Sequence, residues 1–143
     1  MSSILRFLLI SSKALTLSLF GTTVLSLSRV AAQQEEEQPP VIFVDAHVHV
    51  GSVGVTFRAS YSSLDLILKA VRTTSGGADA LRREIDAYEA LVSIQGIAVP
   101  HCFGLFESEQ WLVLVLEDVG PTLDRIGGTG VLSRAQRYEL LLL

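Results

Sequence analysis

The chain has 143 residues, of which 49% are hydrophobic and 18% charged, and its formal net charge is -4. These values fit one globular domain with a modest core rather than a disordered chain. The sequence has no basic cluster of the kind that nucleic-acid binding requires, so we expect no nucleic-acid partner. Its single cysteine, Cys102, excludes an intramolecular disulfide and a cysteine-rich zinc site. We expect Cys102 to be a small core residue on a strand.

Residues 1–32 contain no acidic residue, and their only charges are Arg6, Lys13 and Arg29. The uncharged stretch between Lys13 and Arg29 is shorter than the roughly 20 apolar residues that cross a bilayer. It suits the core of a signal peptide or an uncleaved anchor, and the small residues at its end suit a cleavage site. Its serine content also fits an organellar transit peptide, and an extension without a targeting role is a further alternative. We expect residues 1–32 to lie outside the fold, with a cytoplasmic location if they are not a targeting signal.

Residues 33–40 combine three consecutive glutamates with two prolines. Charge repulsion and proline stiffness predict a solvated linker here. The globular part is therefore expected to span residues 41–143.

Alternation of apolar residues and glycine-rich breaks predict the elements that follow. Asp79 is expected to cap a helix that runs to about residue 93, and Pro100 prevents its continuation. The last expected strand is apolar on both faces, so it should be central and covered. The expected strands are 41–50, 55–58, 64–71, 101–107 and 111–116.

Lys69 lies inside an apolar strand and is the only lysine after residue 32. Glu84 lies on the following helix, three residues after Leu81 and four before Tyr88, at the border of the expected buried stripe. This placement favours an ion pair between Lys69 and Glu84. The alternatives are an exposed strand lysine and a solvated helix glutamate.

The end of the chain carries a capping box, Ser133 to Gln136, which predicts a helix that runs into Leu140–Leu143. Four leucines with nothing downstream to bury them suggest an incomplete domain. They are also the expected contact with a protein partner or with a missing C-lobe.

From residue 41 onward, the order of strands, glycine turn, lysine strand, glutamate helix, hairpin and capped helix resembles the protein-kinase-like superfamily. The similarity is greatest to small, divergent members of the kind found in fungal genomes. It implies an α+β fold, in which a kinase N-lobe (a five-stranded antiparallel sheet plus helix C) is followed by the first C-lobe helices and is then truncated.

The resemblance also implies an ATP site. Gly51 and Gly54 resemble the last two glycines of the phosphate-covering loop, whose first glycine is replaced by His49. Lys69 would hold the α- and β-phosphates, and Glu84 would hold that lysine in position. The segment from Leu116 to Val119 resembles the hinge. There Leu116 would be the gatekeeper, and the backbones of Glu117 and Val119 would bind adenine.

Neither a His-Arg-Asp catalytic loop nor an Asp-Phe-Gly motif is present in the sequence. Because phosphoryl transfer needs a positioned base and acidic ligands for Mg²⁺, we expect no catalysis by this chain alone. Mg²⁺ is expected only in a full-length relative. A non-catalytic, pseudokinase-like interaction module is therefore the first alternative function.

The second alternative is a fragment of a metal-dependent amidohydrolase. Asp45, His47 and His49 form an Asp-x-His-x-His sequence, and histidines at i and i+2 share one face of a strand. The full (β/α)₈ barrel of such enzymes takes about 250 residues. His101 is the only other histidine that could contribute a ligand.

Overall fold

The computed structural model describes residues 2–19, 22–31, 38–50 and 54–119. Within them, seven strands form a closed barrel in the order β1-β2-β6-β7-β5-β4-β3. Helix α1 (Ser2–Ser11) precedes the barrel, and helix α2 (Gly77–Ala90) with a short 3₁₀ turn (Val92–Ile94) joins β5 to β6. The strands are β1 (Ala14–Leu19), β2 (Thr22–Arg29), β3 (Val41–Val50), β4 (Val55–Tyr61), β5 (Leu64–Arg72), β6 (Cys102–Glu107) and β7 (Trp111–Glu117).

The expected fold class, a kinase N-lobe with an open five-stranded sheet, is wrong. Strands β3 to β7 do lie side by side, but β1 and β2 join the two edges of that sheet and close it. β1 runs parallel to β3, and β2 pairs antiparallel with β6 through Ser28 and Arg29. Closure removes both open edges, which would otherwise expose unpaired backbone groups.

The segment 1–32, expected to lie outside the fold, therefore supplies strands of the barrel. Its leucines alternate with serine and threonine, and Leu15, Leu17 and Leu27 are buried in the interior. Period-two alternation is the pattern of a strand with one buried face. Its role as a targeting segment stays a prediction. The linker expected at 33–40 is described only from residue 38, and the carbonyl of Pro40 accepts a hydrogen bond from the Thr16 N–H.

Helix α1 lies over one end of the barrel and buries Leu9 completely in its core. The C-terminal carbonyls of α1 are bonded by side chains: Arg29 donates to the carbonyls of Leu9 (3.0 Å) and Ser12 (2.6 Å). A cation is favourable there because the helix dipole is negative at that end. These two hydrogen bonds connect the end of helix α1 to Arg29, the last residue of β2. The buried interior comprises Leu9, Leu15, Leu17, Leu27, Ile42, Ala59, Leu64, Leu66, Leu68, Ala70, Phe103, Phe106, Val113 and Val115.

Helix α2 packs on the outside of the barrel, against β5, β6 and β7. Leu81 and Tyr88 of α2 are buried against Leu105, Leu112 and Leu114. β7 lies between β5 and β6 and is buried after Trp111, which confirms the prediction that it is covered on both faces.

The predicted cap of α2 is wrong. The N-cap is Gly76, without a side-chain hydrogen bond, and Asp79 lies inside the first turn. A carboxylate in that turn still favours the helix through the dipole. At the start of β3, Ile42 is buried whereas Val41 and Phe43 are exposed.

None of the described helices has the length and apolar character that crossing a membrane requires. The predicted helix from Ser133 to Leu143, the expected C-lobe start and the partner contact at Leu140–Leu143 lie outside the described residues.

Candidate functional site

The candidate site lies on the outer face of the barrel, beside helix α2. Directly paired residues of antiparallel strands present their side chains on the same face. Lys69 on β5 pairs with Thr56 on β4 and with Leu114 on β7, and Leu114 is buried against α2. Lys69 therefore belongs to the face that α2 covers in part. We call the part of this face around Thr56, Arg58, Ile67 and Lys69 the outer patch.

Lys69 and Glu84 form an ion pair between β5 and α2, as the sequence predicts. The Lys69 Nζ donates to Glu84 Oε1 at 2.5 Å, and the two side chains are only 26% and 24% exposed. A charge so far removed from water is stable only with a counter-charge and hydrogen bonds. The pair fixes the ammonium group at the edge of the outer patch. The assignment of both residues to an ATP site stays a prediction.

A second ion pair on this face joins Arg58 of β4 to Asp118, directly after β7. The Arg58 Nε lies 3.8 Å from Asp118 Oδ2, and the two side chains are 52% and 21% exposed. Arg58 pairs with Ile67 on β5, and Ile67 pairs with Leu116 on β7. Sequence reasoning did not single out Arg58. The sequence shows only that Arg58 is a charged residue between Phe57 and Ala59, at the end of the expected strand 55–58.

The three expected hinge residues point in different directions. Leu116 is buried under α2 on the outer face, and Val119 is 54% exposed. The Glu117 side chain instead contacts Arg6 of α1 at 2.7 Å and the His101 Nδ1 at 3.3 Å. The Glu117 N–H donates to the carbonyl of His101 at 2.9 Å. That backbone donor is therefore already bonded within the barrel, so an adenine contact at Glu117 would have to use its carbonyl.

Gly54 has a structural reason to be glycine. A Cβ atom at this position would lie 2.5 Å from the carbonyl oxygen of Ala70 and 2.7 Å from the Val71 Cγ1. Real Cβ atoms essentially never come so close, so the residue before β4 must lack a side chain to pack against β5. Gly51 and the side chain of His49 lie outside the described part of the chain.

Among the described residues, no group of three or more His, Cys, Asp or Glu side chains is placed to hold a metal ion. The side chains of His47 and His49 are not among those described, whereas Asp45 is exposed. His101 lies at the barrel end beside Glu117. The amidohydrolase alternative stays a prediction.

Cys102 is buried at the start of β6, as expected for a core residue. Burial raises the pKa of its thiol from 9.0 to about 12, because the charged thiolate would lose its solvation. A thiol with so high a pKa is a poor nucleophile at neutral pH. Cys102 is therefore a core residue rather than a reactive group.

No protein-family model matches the sequence, and no curated protein matches it either. Eighteen chains of solved structures match. One of them, titled "Structure of vaccinia related kinase 3", matches with a TM-score of 0.41 and 18% identity, over 64% of this chain and 32% of that chain. The chain thus spans about one third of that structure (32%). The similarity to a kinase is distant, and at this TM-score neither a shared fold nor a shared activity follows from it.

Proposed function

We propose that the outer patch binds ATP, with Lys69 as the contact to its phosphates, and that this chain does not transfer a phosphoryl group by itself. The observation that carries the proposal is the ion pair between Lys69 and Glu84. It holds one ammonium group at a fixed place beside a partly open surface.

A lysine ammonium has three N–H donors. One of them is directed at Glu84 Oε1, and about a quarter of the Lys69 side chain is exposed (26%). The other donors can therefore reach a phosphate oxygen without loss of the ion pair. Because the helix carboxylate restrains the side chain before a ligand arrives, less conformational entropy is lost on binding.

The base of the nucleotide would lie toward the end of β7. Ile67 is only partly buried there on the outer face, and its strand partner Leu116 is buried under α2. The exposed Val119 is the second residue after β7. Apolar side chains of this kind suit the flat face of a purine. The Glu117 carbonyl and the Val119 backbone are the groups proposed to contact its edge.

Catalysis needs a base for the acceptor hydroxyl and acidic ligands for Mg²⁺. The sequence has neither of the two motifs that supply them in protein kinases. We therefore propose nucleotide binding as the activity of this chain, and phosphoryl transfer only in a longer relative.

Calorimetric titration with Mg-ATP tests the proposal. Lys69→Ala should weaken binding at least about tenfold, because a hydrogen bond to a charged group contributes about 1.5–3 kcal/mol. Arg82→Ala is the matched control, since it removes one positive charge from an exposed position on α2, two residues from Glu84. Equal affinities of wild type and Lys69→Ala, or no binding by wild type, would overturn the proposal.

A further inference from the structure

We infer that the C-terminal residues 133–143 pack on the exposed face of helix α1. This contact is separate from the outer patch and does not depend on nucleotide binding. Three features carry it: an apolar surface on α1, the position of Val119 near that helix, and the length and sequence of the chain that follows.

Helix α1 is apolar on both of its sides. On one side, Leu9 is completely buried in the core of the barrel, and Leu5 packs against the same core. A helix that is apolar all round is normally buried, and a contiguous exposed apolar surface marks a contact site. Four large apolar side chains of α1 nevertheless have exposed fractions of 43% to 66%, and we call them the α1 face: Ile4, Phe7, Leu8 and Ile10. The first three stand at positions i, i+3 and i+4, so they form one stripe.

The chain passes beside this face just before residue 120. Glu117, the last residue of β7, contacts Arg6 of α1 at 2.7 Å. Arg6 and Ile10 stand at i and i+4, so they are neighbours on the surface of the helix. Val119, the last described residue, is only two positions after Glu117. Residues 120–143 therefore begin near the edge of the α1 face.

The chain after Val119 is long enough to reach this face. Residues 120–132 connect Val119 to residues 133–143, and even a random coil of that length spans about 20 Å. The 10 residues of α1 extend over only about 15 Å. A tethered segment meets a site within its reach at an effective concentration of the order of mM. A second copy of the chain in dilute solution therefore competes poorly for the same face.

The sequence of residues 133–143 predicts a matching stripe. A helix that begins at the capping box places Tyr138, Leu141 and Leu142 at i, i+3 and i+4, the spacing found in the α1 face. Leu140 and Leu143 would lie on the opposite side of such a helix. Side chains in rows of this kind pack as ridges into the grooves of a facing helix. The stripe that contains Leu141 and Leu142 is therefore the one that contacts α1.

Two other partners fit the α1 face less well. A stable dimer buries roughly 800 Å² on each partner, which is more than four half-exposed side chains supply. An anionic membrane attracts cationic side chains beside an apolar face, but Arg6 is held by the Glu117 carboxylate. The attached segment needs neither a large area nor a charge, because its effective concentration already favours the contact.

Disulfide cross-linking of the full chain tests the contact. On oxidation with oxidised glutathione, Phe7→Cys/Leu141→Cys should form an intramolecular disulfide at least about tenfold faster than Val50→Cys/Leu141→Cys. Val50 is the matched control, because it is 64% exposed and the register connects it with the first half of β7, away from Glu117. The thiol of Cys102 is buried, so the oxidant does not reach it.

Hydrogen exchange of the α1 amides is the second measurement, and it needs no added cysteine. Leu141→Ser/Leu142→Ser should accelerate exchange in α1 at least about fivefold and leave β5 and β7 unchanged, since it uncovers one helix only. Leu140→Ser/Leu143→Ser removes two leucines from the same segment but keeps the stripe. Exchange in α1 should then stay within about twofold of wild type.

The inference is wrong if the two cysteine pairs cross-link at equal rates, or if the two serine variants give equal exchange in α1. A disulfide between two copies of the chain would overturn it in favour of a dimer. Flotation of the wild type with vesicles of phosphatidylcholine and phosphatidylglycerol, lost in Phe7→Ser, would overturn it in favour of a membrane surface.

Discussion

The ion pair between Lys69 of β5 and Glu84 of α2 should contribute a measurable coupling free energy to the stability of the protein. We consider Lys69→Met and Glu84→Gln, singly and together. The contact is 2.5 Å long and both side chains are about three quarters buried. A hydrogen bond between charged groups contributes about 1.5–3 kcal/mol, whereas fully exposed pairs contribute about 0.2–1 kcal/mol. For a pair of intermediate exposure, we expect a coupling free energy of about 1–2 kcal/mol.

The assay is a double-mutant cycle by urea denaturation, with the free energies of unfolding of all four proteins. Each single variant should be destabilised, since it leaves a partly buried charge without its partner, and the double variant should lose less than the sum. The Arg58–Asp118 pair, at 3.8 Å and half exposed on the arginine side, is the control, with an expected coupling below about 0.5 kcal/mol. A Lys69–Glu84 coupling as small as that of the control pair would refute the reasoning.

Two further predictions concern the core and the barrel. Because the folded pKa of Cys102 is about 12 and its ordinary value is 9.0, the unfolded state loses this proton first as the pH rises. Stability should hence be unaffected by this thiol below pH 9 and fall between pH 9 and about 12, by up to about 1.4 kcal/mol per pH unit. Cys102→Ala should lack this component, and equal slopes of the two denaturation curves would contradict the burial argument. Removal of residues 1–32 should abolish cooperative thermal unfolding, since it opens the barrel and exposes Leu66, Leu68 and Val115 to water. A truncated chain that melts as sharply as the full chain would contradict a barrel that needs β1 and β2.

Local sequence patterns were sufficient for most elements of the chain after residue 40. The strand with Lys69 and the apolar strand before Glu117 were predicted within a residue or two of β5 and β7. Glycine, proline and alternation of apolar residues act over a few positions, so they can be read without knowledge of the fold. The border position of Glu84 on its helix followed from the same local information, whereas its contact with Lys69 also depends on the packing of α2 against β5.

Barrel closure could not be predicted in this way. The alternation of leucine with serine and threonine around Leu15 and Leu27 is a strand pattern, but a short, acid-free segment at the start of a chain also has the composition of a targeting signal. Whether such a segment forms strands of a barrel depends on whether two sheet edges elsewhere in the chain are free to accept them. That depends on β3 and β6, which lie far away in the sequence.

The sequence by itself determined the local elements and the border position of Glu84, because turn chemistry and side-chain periodicity are properties of neighbouring residues. Only the tertiary structure decided that Arg6 contacts Glu117 and that Arg58 shares a face with Lys69. The first is a contact between helix α1 and β7, which depends on how α1 packs on the barrel. The second depends on the register of β4 and β5. Register is set by the burial of whole faces and by edge pairing, which no single segment of the chain encodes.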